Sequence, residues 1–141
     1  MRIAEIENEI VEEFALFGDD WEGKYDHLID LGKHLPLIDK QYKTDDRLIK
    51  GCQSKVWLHS ELKNEKVVFT ADSDAIITKG IVALMIRVIS GHTVDEIIHA
   101  KFEFINKIGL IEHLSPTRSN GLVSMIKQTK LDALAYKHLK S

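Results

Sequence analysis

The sequence predicts an α+β fold: a small antiparallel sheet of about three strands, covered on one face by helices. Three observations predict it. Apolar residues recur at helical spacing through the first 35 positions. Between residues 56 and 71 the pattern switches to alternation and to β-branched and aromatic residues. Helical spacing then returns and holds to the C-terminal region.

Ile3, Ile6, Ile10, Phe14 and Phe17 place a first amphipathic helix over residues 3–17, stopped at Gly18. "DDWEGKYDHLIDLGKHL" predicts a second, capped by Asp19 or Asp20, with Trp21, Tyr25, Leu28 and Ile29 on its inner stripe and Pro36 beyond its end. Residues 39–51 are polar and irregular. "KVWLHSEL" and "KVVFTAD", joined at Asn64–Glu65, predict a β-hairpin. An isolated hairpin is marginal, so a third strand is expected near residues 46–50. "DSDAIITKGIVALMIRVISG" is the clearest helix: Asp72, Ser73 or Asp74 as cap, Ile77, Ile81, Leu84, Met85 and Val88 as stripe, Gly91 as stop. Gly80 in its middle signals close approach of a neighbour. Thr93 and Glu96 form a capping-box pattern for a short helix through His99. A last helix is expected over residues 121–139, using Leu122, Met125, Ile126 and Leu134. With two prolines and no low-complexity linker or repeat, residues 1–141 read as a single domain.

Composition narrows the function classes. No apolar run approaches the roughly 18 residues of a membrane span. The segment "MRIAEIENEIVEEF" is acidic and periodic, unlike a secretory signal. A lone cysteine makes no internal disulfide, so a reducing, cytoplasmic setting is expected. Residues 1–46 carry 13 acids and 5 bases, and residues 47–141 carry 9 and 14, so −8 and +5 underlie the net −3. The basic excess is too dilute, and too poor in aromatics, for a nucleic-acid groove.

Cys52, in "IKGCQSKVW", is the first candidate for chemistry. Thiolates need cationic or N–H-donating surroundings, and Arg47, Lys50 and Lys55 are near in sequence. Gly51 lets the backbone turn sharply and offer the sulfur. Two roles fit these residues: a small buried core side chain, or a displayed nucleophile. One of the seven histidines could serve as a base for a thiol hydrolase, but no signature of such enzymes surrounds Cys52. Metal-ligand pairs are absent beside it, and a cluster scaffold would need more thiolates than one. The second unusual stretch is "HLSPTRSNGL", residues 113–122, where Arg118 stands at a helix start among cap-type residues. A cation is slightly unfavourable there, which favours a specific anionic partner.

"GCQSKVW", "DSDAIITKGIVALM" and "HLSPTRSNGL", in that order, closely resemble the SufE family of sulfur-acceptor proteins. The likeness runs from "WEGKYDHLIDLGKHLP" through the last helix. It implies a fold shared with IscU-type scaffolds. It implies a carrier that takes persulfide sulfur from a pyridoxal-phosphate-dependent, SufS-like cysteine desulfurase, stimulates that enzyme, and passes sulfur to a SufBCD-like cluster-assembly complex. The pyridoxal phosphate belongs to the partner, and the chain itself needs no cofactor or metal. By the match, Cys52 is the persulfide acceptor and Arg118 lies near the acceptor loop. Gly51, Gln53, Ser54 and Asp74 fall in partner-binding positions. The alternative is a non-catalytic adaptor in which Cys52 only packs. A persulfide must be shielded, so the loop is expected to tuck the sulfur into an apolar recess, walled by Val56, Trp57 and Met85, and to swing out on docking.

Overall fold

A computed structural model describes residues 2–140 apart from Gln53. Helix α1 spans Ile3–Ala15 and α2 spans Trp21–Gly32, capped by Asp20, whose Oδ1 accepts the Gly23 N–H at 3.0 Å. Strands β1 (Val56–Lys63) and β2 (Lys66–Ser73) form the hairpin, in register from Val56–Ser73 to Lys63–Lys66. Asn64 and Glu65 both take positive φ, 50° and 66°, the geometry a two-residue turn needs to follow the strand twist. Helix α3 spans Ile76–Ile89, β3 His92–Thr93, α4 Val94–Ile98, α5 Phe104–Lys107 and α6 Pro116–Lys140.

The sheet is antiparallel in the order β1-β2-β3. The expected third strand at residues 46–50 is instead a single bridge, Leu48 to Trp57. The third strand lies on the opposite edge of β2, where His92 and Thr93 pair with Val67 and Lys66. Two short 3-10 turns at Lys40–Tyr42 and Asp45–Arg47 consume the chain before residue 48, leaving no length for a ladder. Val56, Leu58, Val67, Phe69 and Ala71 fill the inner face of the sheet. On the outer face Tyr42 stacks on His59 at 3.8 Å and the Lys43 ammonium sits 4.6 Å over the Trp57 ring.

Helix α3 is the centre of the molecule. The predicted stripe is correct for Ile81, Leu84, Met85 and Val88, but Val82, Ala83, Ile86 and Ile89 are buried too. A helix this apolar is enclosed on most sides: α1, α2, β2 and α6 pack against it, and only Ile76 among its apolar residues is exposed. The close approach foreseen at Gly80 is with α2, where an added Cβ would stand 2.1 Å from the Leu28 carbonyl oxygen. The expected caps on α3 do not form: Ala75 is the N-cap and no side chain bonds into the first turn. Asp72 instead pairs with Lys43 at 3.0 Å and Lys79 at 3.4 Å.

The Thr93–Glu96 capping box is present. Helix α6 begins five residues before the predicted start, at Pro116, since proline is pre-organised for a first helical position and Ser115 Oγ accepts the Arg118 N–H at 3.3 Å. Its inner line is Leu122, Met125, Thr129 and Ala133, whereas Leu134, expected inside, is 38% exposed. Among the described residues no helix is long and apolar enough to cross a membrane.

Candidate functional site

The loop carrying Cys52 is tied at both ends. The Ile49 N–H bonds to the Val56 carbonyl at 2.9 Å. The Asp74 carboxylate accepts the Lys55 N–H at 3.0 Å, and the Asp74 N–H donates to the Lys55 carbonyl at 3.2 Å. Asp74 therefore closes the loop rather than capping α3. Between these ties Gly51 adopts φ +89°, and a Cβ there would meet Ser124 Oγ at 2.7 Å. The backbone turn demands glycine, whereas the Ser124 hydroxyl could rotate aside.

This turn lays Cys52 on α6. The half-buried sulfur donates to the Gly121 carbonyl at 3.6 Å. An added Cβ at Gly121 would be in van der Waals contact with Sγ at 3.4 Å, so the helix and the loop meet here. A small cavity of about 20 Å³ opens beside the thiol. The loop contributes Cys52 and Ser54, α3 contributes Thr78 and Ile81, and α6 contributes Thr117, Arg118, Gly121 and Met125. Sequence stretches 69 residues apart thus converge on one sulfur.

Of the residues expected at the site, Cys52, Ser54 and Arg118 share this cavity. Gly51 and Asp74 shape the loop from behind. Gln53 lies outside the described residues. The expected walls are not the observed ones. Val56 and Met85 are buried in the main core, and Trp57 points to the outer sheet face beneath Lys43. The first turns of α3, not its middle, face the loop, so Ile81 takes the place given to Met85. Thr78, Thr117 and Gly121 carry no motif of their own, although Gly121 stands inside the conspicuous "SNGL".

The cations expected near the thiol also go elsewhere. Arg47 donates from Nε to His59 Nδ1 at 3.0 Å and lies 4.6 Å over the Tyr42 ring. Lys50 and Lys55 are exposed. Burial alone acts on the Cys52 thiol and pushes its pKa up. The resting side chain is thus a neutral thiol at neutral pH. The residues lining the recess include no histidine that could take its proton. Among the described residues, no group of three or more His, Cys, Asp or Glu side chains could hold a metal ion. Arg118 is exposed at the rim, where a guanidinium can meet an incoming anion or thiolate.

A second feature fixes the start of α6. His113 stacks on Trp21 with ring centroids 3.6 Å apart, and the Tyr25 hydroxyl donates to the His113 carbonyl. Helix α2 thereby holds the segment that delivers Arg118 and Gly121 to the sulfur.

Comparison with known proteins identifies a family for this chain. The SufE family profile, described as an Fe-S metabolism associated domain, matches residues 8–133. An uncharacterised SufE-like protein of Rhizobium meliloti (strain 1021) is 40% identical over 131 residues, covering 89% of this chain and 93% of its own. The SufE-like protein 1, chloroplastic/mitochondrial, of Arabidopsis thaliana is 40% identical over 114 residues, covering 80% of this chain but 31% of its own length. A solution structure of a hypothetical protein from Thermus thermophilus superposes with a TM-score of 0.77 at 18% identity, over 96% of this chain and 97% of that one. At that identity the likeness shows the fold alone.

Proposed function

Because this chain belongs to the SufE family and so to Fe–S metabolism, we propose that it is a sulfur carrier that receives persulfide sulfur on Cys52. The donor is the persulfide of a SufS-like cysteine desulfurase, and the recipient is a SufBCD-like assembly complex. In the loading step the Cys52 thiolate attacks the outer sulfur of the donor persulfide. A new S–S bond forms at Cys52, the donor's S–S bond breaks, and the donor cysteine leaves as a thiolate. No net oxidation occurs, because the sulfane sulfur passes between thiols.

The observation that carries this reading is the placement of the chain's one cysteine: half-buried, at a recess built by the three stretches that resemble the family. Burial keeps the thiol protonated, and therefore unreactive, in the free protein. Docking of the desulfurase would draw the segment between the Ile49 and Lys55 ties outward. Solvation then lowers the thiol pKa toward its ordinary value, and Arg118 at the rim favours the thiolate. The same withdrawal into the recess shields the loaded sulfur in transit.

The test mixes the protein with a SufS-like desulfurase, pyridoxal phosphate and L-cysteine. Intact-mass measurement is expected to show added sulfur on Cys52, and Cys52→Ser to abolish both the adduct and the stimulation of desulfurase turnover. Stimulation that survives Cys52→Ser undiminished would establish the adaptor role instead. Arg118→Ala is expected to weaken stimulation while leaving the melting curve unchanged, since the side chain is exposed.

A further inference from the structure

About three turns along α6 from Gly121, a separate cavity of about 310 Å³ opens between α6, β1 and the turn that carries Arg47. It shares no residue with the Cys52 recess. One wall is a cluster of oxygens. Asp132 accepts from Gln128 Nε2 at 2.8 Å and from Ser60 Oγ at 3.2 Å. The Tyr136 hydroxyl donates to the Ser60 carbonyl at 2.6 Å and stands 3.2 Å from Ser60 Oγ.

Both hydroxyl protons in this cluster are already committed. With Ser60 donating to Asp132 and Tyr136 donating to the Ser60 carbonyl, both hydroxyl oxygens keep lone pairs that can accept. The carboxylate joins them; no ion pair among the described residues includes it, and His59, which also lines the cavity, is the one charged group that acts on it. Burial of Asp132 raises its carboxyl pKa, so the charge is held there at a cost. Three acceptors in one wall, one of them a carboxylate outside any ion pair, complement a primary ammonium with its three donors.

Arg47 stands at another part of the same cavity. Its Nε is spent on His59 and its plane is packed over Tyr42, which hold the guanidinium in place. Its Nη1 donates to Thr44 Oγ1 at 3.4 Å and lies 3.5 Å from Asp46, whereas no contact among the described residues uses Nη2. That remaining nitrogen can donate to a carboxylate. Asp46, Leu48, Leu58 and His59 complete the lining, and a volume of about 310 Å³ accommodates a single amino acid.

We propose that this cavity binds a free α-amino acid, with its ammonium on Asp132, Ser60 and Tyr136 and its carboxylate on Arg47. Binding here needs neither Cys52 nor a desulfurase, so the site stands whether or not the chain carries sulfur.

The experiment titrates the reduced, ¹⁵N-labelled full chain with L-alanine. Saturable amide shifts are expected around Ser60, Asp132 and Tyr136, and the same shifts in Cys52→Ser. Asp132→Asn keeps the shape and removes the charge, and should weaken binding by about tenfold or more, the loss of a charge-assisted hydrogen bond. Arg47→Gln should weaken it comparably, and Tyr136→Phe severalfold. Acetate alone and ethylamine alone should each bind far more weakly than L-alanine. The proposal is overturned if L-alanine gives no saturable shift, if acetate or ethylamine matches it, or if folded Asp132→Asn or Tyr136→Phe binds it undiminished.

Discussion

Replacing Gly80 by alanine sets two effects against each other. By intrinsic propensity the change should stabilise α3 by about 1 kcal/mol. The structure predicts the opposite sign. The new Cβ would lie 2.1 Å from the Leu28 carbonyl oxygen and 2.7 Å from its carbon. Ordinary contact is about 3.5 Å, so α2 must retreat by more than an ångström. The obstacle is backbone, and it cannot rotate away. Gly32 offers no slack, because its own added Cβ would stand 3.0 Å from the Gly80 nitrogen. Retreat would also loosen fully buried Leu28 and its neighbours Ile81 and Leu84. Overpacking costs about 1–3 kcal/mol, and a rigid partner puts this site at or above the top of that range. After the propensity gain a net loss of about 2 kcal/mol remains, or about 6 °C in Tm for a domain of this size. Calorimetric melting of the two proteins reads it directly. A Gly80→Ala protein that melts at or above the parent would refute the packing argument. Since α3 also carries Thr78 and Ile81 to the recess, the variant should alkylate faster at Cys52.

The rate of Cys52 alkylation by iodoacetamide should inflect above the ordinary thiol range in the folded protein and return to that range in urea; an inflection at or below the ordinary value would remove burial as the controlling effect. The linked stability is fully present below the unfolded thiol's pKa and is lost as pH rises through the raised folded value, so Cys52→Ser should flatten that alkaline decline. At α4, the Thr93 N–H bond holds the Glu96 carboxyl below the usual carboxylate range. That contribution is present above the unfolded glutamate pKa and fades as pH falls through the lower folded value. Thr93→Ala should cost about 1 kcal/mol in urea denaturation at neutral pH, and an unchanged midpoint would show that the box contributes nothing.

Periodicity found the helices and the hairpin because one face of each element is buried and the other is wet. It failed where that contrast disappears. Helix α3 is enclosed on nearly every side, so its stripe identified a few inward residues and no direction. The third strand was misplaced because a two-residue strand has no alternation to read, and pairing of His92 with Val67 depends on where α3 returns the chain. Helix α5 has four residues and follows Phe102 at φ +55°, a conformation no local pattern announces. At the site, Cys52 and Arg118 were legible because glycine, thiol and cation stand out from their neighbours. Their shared recess was not, since Thr78 and Ile81 reach it only through the angle at which α3 leaves the sheet. The polar cavity at Asp132 was invisible for the same reason: Ser60 and Asp132 are 72 positions apart.

On the proposed carrier role, the size of the recess sets how much sulfur it protects. About 20 Å³ lies beside Cys52 Sγ. One water needs about 10–15 Å³ of such space, so a single added sulfur fits and a second does not. A persulfide should therefore sit enclosed, whereas a trisulfide must extend past the Arg118 rim into solvent. Cyanide distinguishes them, because it attacks the outer sulfur, departs as thiocyanate, and returns one fewer sulfur at Cys52. After loading by a desulfurase and removal of that enzyme, intact-mass time courses should show the two-sulfur species reduced quickly to one sulfur, and the one-sulfur species lost slowly. Unfolding in urea should make both losses fast. Equal rates for the two species in the folded protein would mean that the outer sulfur is never enclosed, and that the recess at Gly121 plays no part in its protection.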